Sequence, residues 1–167
     1  MAEEDATGYW GAPEDIVTEV GRITISGTAL EAALYRLAGG VGAGDLRNKP
    51  ASVAASKLAA KATELAAQRG LEDHPKLAAF LVRLERFPTT ASDALEERGR
   101  VVHSTYVSYR GDDSDEWEPG HSRTREGTYE AIRPVVRAEF EAVRRQVEEA
   151  ALEGWSLFSM LFKGELD

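Results

Sequence analysis

Arg98, Arg100 and His103 fall close together in the stretch Glu96–Tyr106, which reads EERGRVVHSTY, and the chain has only three histidines to place. Residues of these types suit the handling of a phosphate. An imidazole titrates near neutrality and can take or give a proton, an effect worth about 10²–10⁴-fold in rate when well placed. A guanidinium is always charged and offers paired N–H donors to phosphate oxygens, including charge that develops during reaction. Together they fit cleavage of an RNA phosphodiester. The RNA's own 2′-hydroxyl would attack, so neither a metal nor a protein nucleophile is required.

Spacing sorts the three. On a helix, five positions of about 100° each put His103 about 140° round from Arg98. Arg100, three positions before His103, is on nearly the same face as the histidine. Leu95, Arg98 and Val102 follow three-four spacing, which sets Arg98 on or beside an apolar stripe. A guanidinium there needs a partner or a cleft, because burying it unpaired is costly. The plain alternative is a rim arginine paired with Glu96 or Glu97, and a histidine satisfied by backbone. Arg100 also suits an ion pair with Glu96, four positions earlier. Ser104 either assists His103 by hydrogen bonding or faces solvent. His121, Arg123 and Arg125 alternate, so an extended strand would turn all three one way. There they either add phosphate contacts or offset the acidic run Asp112–Glu116.

The elements that must position these residues read as helices. The 167 residues suit one domain, and 43% apolar with 29% charged residues is a globular composition. Residues 1–12 read as a loose acidic arm and 13–167 as the domain. Ile16, Val20, Ile23, Gly27, Leu30, Leu34 and Leu37 step by four and three, the apolar face of a long helix that ends at Gly39–Gly40. Gly27 lies on that stripe, where the missing side chain would let another helix come close. A second helix is predicted from about Pro50 to Arg69. A third starts near Asp73 as N-cap, with Pro75 in its first turn and Leu77, Phe80, Leu81 and Leu84 as its core face. Pro88 ends or kinks it, and Thr89 or Thr90 caps the segment that carries the motif. Residues 107–127 break the pattern and read as a loop or short β-hairpin with arms Val107–Arg110 and His121–Arg125. A last helix is expected from near Pro134, with Val136, Phe140, Val143, Val147 and Ala150 leading to Trp155, Phe158 and Leu161. The sum is an all-α bundle of four to five helices with a short irregular insertion before the last helix.

Arg98-Gly-Arg-Val-Val-His103, late in a small all-helical chain, resembles the Arg-x4–6-His signature of HEPN domains (higher eukaryotes and prokaryotes nucleotide-binding). The architecture fits most of the chain, and the sequence likeness rests on about six residues. The resemblance implies a metal-independent ribonuclease without cofactors, of the kind found in toxin–antitoxin and anti-phage systems, that leaves 2′,3′-cyclic phosphate ends. It implies a homodimer whose two Arg-His pairs line one cleft, RNA as substrate, and an antitoxin or complex partner. Carried over, Arg98 binds the phosphate and His103 is the catalytic histidine, with Arg100, Ser104, His121, Arg123 and Arg125 as candidate substrate contacts. Two positions depart from the pattern. Gly99 stands where the family often has asparagine. The tyrosine that receives nucleotidyl groups in some members is usually two residues past the histidine, where this chain has Thr105 and then Tyr106.

Composition narrows the field further. A net charge of −9 argues against charge-driven coating of nucleic acid and leaves room only for a local basic cleft. With no cysteine there are no disulfides, thiol nucleophiles or cysteine metal sites. No metal-ligand spacing or phosphate-binding glycine loop is present. The N-terminus lacks a signal pattern and no apolar run is long enough to span a bilayer, so a cytoplasmic protein is expected. Two readings from other classes stand beside the enzyme: a non-catalytic nucleotide- or partner-binding regulator of the same fold, and a helical interaction protein whose motif is accidental.

Overall fold

The computed structural model describes residues 12–43, 49–68, 75–110, 117–125, 128–129 and 131–162. Four helices make the bundle: α1 (Glu14–Gly40), α2 (Ala51–Gln68), α3 (Pro75–Val102) and α4 (Arg137–Phe162). Between α3 and α4 the chain forms β1 (Ser104–Arg110), β2 (Trp117–Arg125) and two short strands, β3 (Thr128–Tyr129) and β4 (Arg133–Pro134). β2 is the hub of this small antiparallel sheet. It pairs with β1, with Ser104 opposite Arg123 and Tyr106 opposite His121, and it pairs separately with β3 and with β4, where His121 meets Arg133.

The apolar stripe of α1 is the backbone of the core. Leu30, Leu34 and Leu37 join Leu58 of α2, Phe80, Leu84 and Phe87 of α3, and Val147 and Leu157 of α4 in one buried cluster. Ile16 and Ile23 belong to a second cluster with Val101 and Phe140, against which Tyr106 of β1 and Val135 pack. That second cluster seats the sheet on the end of the bundle. Contacts fix the helix directions: Gly27 lies against Arg98, whereas Gly40 lies against Leu161, so α1 runs antiparallel to α3 and parallel to α4. Polar ties cross the same interfaces. Arg83 donates to both carboxylate oxygens of Glu153 at 2.8 and 2.7 Å, linking α3 to α4. Glu19, only 4% exposed, accepts from Arg22 and from Arg144 of α4 at 2.8 and 2.9 Å.

Several boundaries differ from the sequence expectation. Pro88 neither ends nor restarts a helix; α3 runs through it. An internal proline costs about 3 kcal/mol, but Leu84 and Phe87 are fully buried around it, and each such side chain contributes about 1.5–3 kcal/mol. The strands start earlier than expected, at Ser104 and Trp117, and the last helix begins at Arg137 with Pro134 in β4. Ala12, assigned to a loose arm, is buried. Asp73, the expected cap of α3, lies outside the described residues.

Candidate functional site

The motif straddles a change of secondary structure. α3 stops at Val102, the His103 N–H still donates to the Gly99 carbonyl at 3.1 Å, and β1 begins at Ser104. The β-branched run Val101, Val102, Thr105, Val107 prefers extended backbone once the helix face ends. Ser104 closes the helix by donating its hydroxyl to the Arg100 carbonyl at 2.5 Å. His103 is therefore a turn residue at the helix end, not a helix residue, and it is exposed.

Arg98 points the other way, into the α1–α3 interface. Its side chain is 20% exposed and Nη1 lies 3.6 Å from Glu31 Oε1. Gly27 makes the room. A Cβ at that position would lie 2.9 Å from Arg98 Nε and 3.1 Å from its Cγ, so the glycine on the α1 stripe is a slot for the arginine stem. Nε itself is buried without a hydrogen-bond partner. Gly27→Ala is expected to push Arg98 out of its slot. The gain in helix propensity of about 1 kcal/mol offsets the crowding, so the melting temperature should stay near the parent's while any activity that depends on Arg98 falls. Paired thermal melts and RNA-cleavage assays check this.

A cleft of about 350 Å³ opens on the opposite side of α3. Arg100, Glu97 and Val101 of α3, Ser104, His121, Arg133, and Glu139 and Phe140 of α4 line it. Arg100 Nη1 donates to both oxygens of Glu97 at 2.8 Å, so its partner is Glu97 three positions back and not Glu96. His121 stacks on Tyr106 with ring centroids 6.2 Å apart and meets the edge of Phe140 at 5.7 Å. Its Nδ1 lies 3.5 Å from Ser104 Oγ. With the Ser104 proton on the Arg100 carbonyl, the long contact to Ser104 Oγ suits the tautomer that carries the imidazole proton on Nδ1. Nε2 is then the basic nitrogen, and it is buried with no hydrogen-bond partner. Burial lowers the pKa of His121, Glu139 opposes that shift, and Arg133 and Arg100 add to it. The imidazole is therefore neutral at pH 7. Tyr106 is held by its bond to the Val101 carbonyl at 2.9 Å, and burial pushes its pKa up to about 12.

Three of the sequence candidates, Arg100, Ser104 and His121, thus meet in one cleft, and neither Arg98 nor His103 lines it. Arg123 and Arg125 are in β2, and their side chains lie outside the described residues. Sequence reading did not single out Arg133, Phe140 or Glu139 for the site. Arg133 reaches it only because β4 pairs with β2 opposite His121, and a two-residue strand leaves no periodic signal. Among the described residues, no group of three or more histidines and carboxylates is arranged to hold a metal ion, and no helix is long and apolar enough to cross a membrane. No protein-family model, curated protein or solved structure matches the chain, so the case for a function rests on the chemistry of these residues.

Proposed function

We propose that the protein is a metal-independent endoribonuclease of HEPN type that acts as a homodimer, as in toxin–antitoxin or anti-phage systems. Arg98 holds the scissile phosphate and His103 moves the proton that activates the RNA 2′-hydroxyl. The observation that supports this is the state of the two side chains. His103 stands exposed at the end of the helix that carries Arg98. Arg98 is one-fifth exposed and its ion pair with Glu31 is a long 3.6 Å, so its guanidinium end can exchange that partner for a phosphate, while Nε stays buried over Gly27. The two side chains leave α3 in different directions, and a two-fold arrangement about the α3 end would bring the pairs of both copies into one cleft.

The test is incubation of RNA with the protein in chelator. Cleavage leaving 2′,3′-cyclic phosphate ends is expected, with a loss of about 10²-fold or more in His103→Ala and a comparable loss in Arg98→Ala. RNA left intact by the parent protein sinks the reading. A second reading is a non-catalytic nucleotide- or partner-binding regulator, favoured by the Glu31 partner that Arg98 already has. Its signature is binding without cleavage that persists in both variants.

A further inference from the structure

We propose that the cleft between α3, the sheet and α4 is a proton-linked site for a tetrahedral oxyanion, the phosphate of a phosphate monoester, with Arg100 and Arg133 as its cations and His121 as the group that takes up a proton when the anion binds. This deepens the ribonuclease reading and rests on it only for RNA or its products as the source of the phosphate.

Three observations carry the site. First, His121 is set in the wall of a real cavity, and its Nε2 has no hydrogen-bond partner. A buried polar nitrogen left unpaired is costly, and native structures seldom keep one without a reason. Second, the lining charges balance. Arg100 and Arg133 are opposed by Glu97 and Glu139, so with a neutral imidazole the cleft carries no net charge and has little hold on an anion. One proton on His121 makes it positive and turns Nε2, which has no exposed surface in the empty cleft, into a donor that needs an acceptor, so the ring must turn toward the cleft as the anion enters. An oxyanion supplies that acceptor and the counter-charge together. Third, the hydrogen-bond chain from His121 Nδ1 to Ser104 Oγ to the Arg100 carbonyl keeps the second nitrogen as the one that titrates.

Among the described residues, every charged or titratable group facing His121 fits this scheme. Arg100 and Glu97 come from α3, Tyr106 from β1, Arg133 from β4 and Glu139 from α4. Tyr106, with a pKa near 12, stays neutral throughout, so it does not compete for the proton. Burial and the two arginines keep the empty His121 below its ordinary range, and only Glu139 pulls upward. The sign of the linkage follows. The unfolded chain binds the His121 proton more readily than the empty folded protein does, so this group's contribution to stability is complete above the ordinary histidine range and is lost as the pH falls through that range. A bound anion reverses the preference and restores stability on the acid side.

The cleft volume sits at the small end of ligand pockets, enough for one phosphate-bearing group and not for a folded RNA segment.

The experiment uses sulfate, which does not titrate in this range, adenosine 5′-monophosphate and unphosphorylated adenosine. Calorimetry of sulfate binding in two buffers of different ionisation heat should show proton uptake, with affinity rising up to about tenfold per pH unit lowered. Adenosine 5′-monophosphate should bind and adenosine should not. His121→Gln should abolish the proton uptake, Arg133→Met should weaken binding at every pH, and sulfate binding should survive His103→Ala. In the parent protein, imidazole NMR should show one histidine whose pKa rises when sulfate is added, a readout that needs no variant to fold. Sulfate binding without proton uptake, adenosine binding as tightly as its monophosphate, or no pKa change at any histidine would each overturn the proposal. Loss of RNA cleavage with sulfate binding intact, or the reverse, tells failure of one reading from failure of the other.

Discussion

Gly154→Leu is expected to leave no cooperatively folded protein at room temperature, and Gly154→Ala to lose about 1–3 kcal/mol despite a better helix former. Gly154 is buried where α4 meets α1 and α3 at once. An added Cβ there would fall 2.6 Å from the Phe87 ring tip and 2.9 Å from the Ala33 methyl, closer than packed carbon atoms come. Phe87 is fully buried and Ala33 is a short side chain on a helix, so neither can swing away. A leucine adds three further carbons to a site that has no room for the first. Against a total stability of about 5–15 kcal/mol, overpacking of that size is decisive. Urea unfolding of the two variants checks the order. Phe87→Leu, which shortens the opposing ring, should restore part of the stability of Gly154→Ala. An alanine variant as stable as the parent would mean that the three helices do not meet as described.

The second large effect belongs to Phe140. Phe140→Ala should cost about 3–5 kcal/mol, the usual penalty for emptying a buried aromatic site. For a chain of this length that corresponds to a fall of roughly 6–20 °C in melting temperature. Phe140 is 1% exposed and joins Ile16, Ile23 and Val101 in the cluster at the sheet end of the bundle. Its ring also backs Tyr106 and His121, with centroids 6.2 and 5.7 Å away. The variant should therefore loosen the sheet before the rest of the bundle. Hydrogen exchange should rise first at β1 and β2, while α2, which packs in the other cluster, keeps its protection. Uniform loss of protection would count against two separable clusters.

How much of this was legible in the sequence depends on where each cause lies. The α1 stripe could be read because helical period and burial coincide, and Ile16, Ile23, Leu30, Leu34 and Leu37 are all buried. Leu77, Phe80, Leu81 and Leu84 were legible for the same reason. Of the two alternatives at Pro88, an end is excluded because α3 runs through it; its local cost is visible in the chain, whereas the burial of Leu84 and Phe87 that outweighs it comes from other helices. The apolar spacing of Val101 and Val102 points to a helix that continues through His103. The β1–β2 pairing that draws the chain into extended form is non-local. Arg98 was rightly set beside the stripe, yet its slot and partner, Gly27 and Glu31, lie some seventy positions earlier. The cleft was half legible. Ser104 and His121 stood out by type, but their meeting with Arg133 follows from strand register, which composition does not encode.

The fit of Arg98 over Gly27 ties two distant positions into a single unit of inheritance. A lineage that acquires bulk at position 27 evicts the arginine at once, while one that first shortens the side chain at position 98 leaves Glu31 facing an empty groove. Glycine at 27 and arginine at 98 therefore pack as one unit, in which bulk at the first displaces the second. The glycine thus sets the position of the arginine from a helix that the motif does not include.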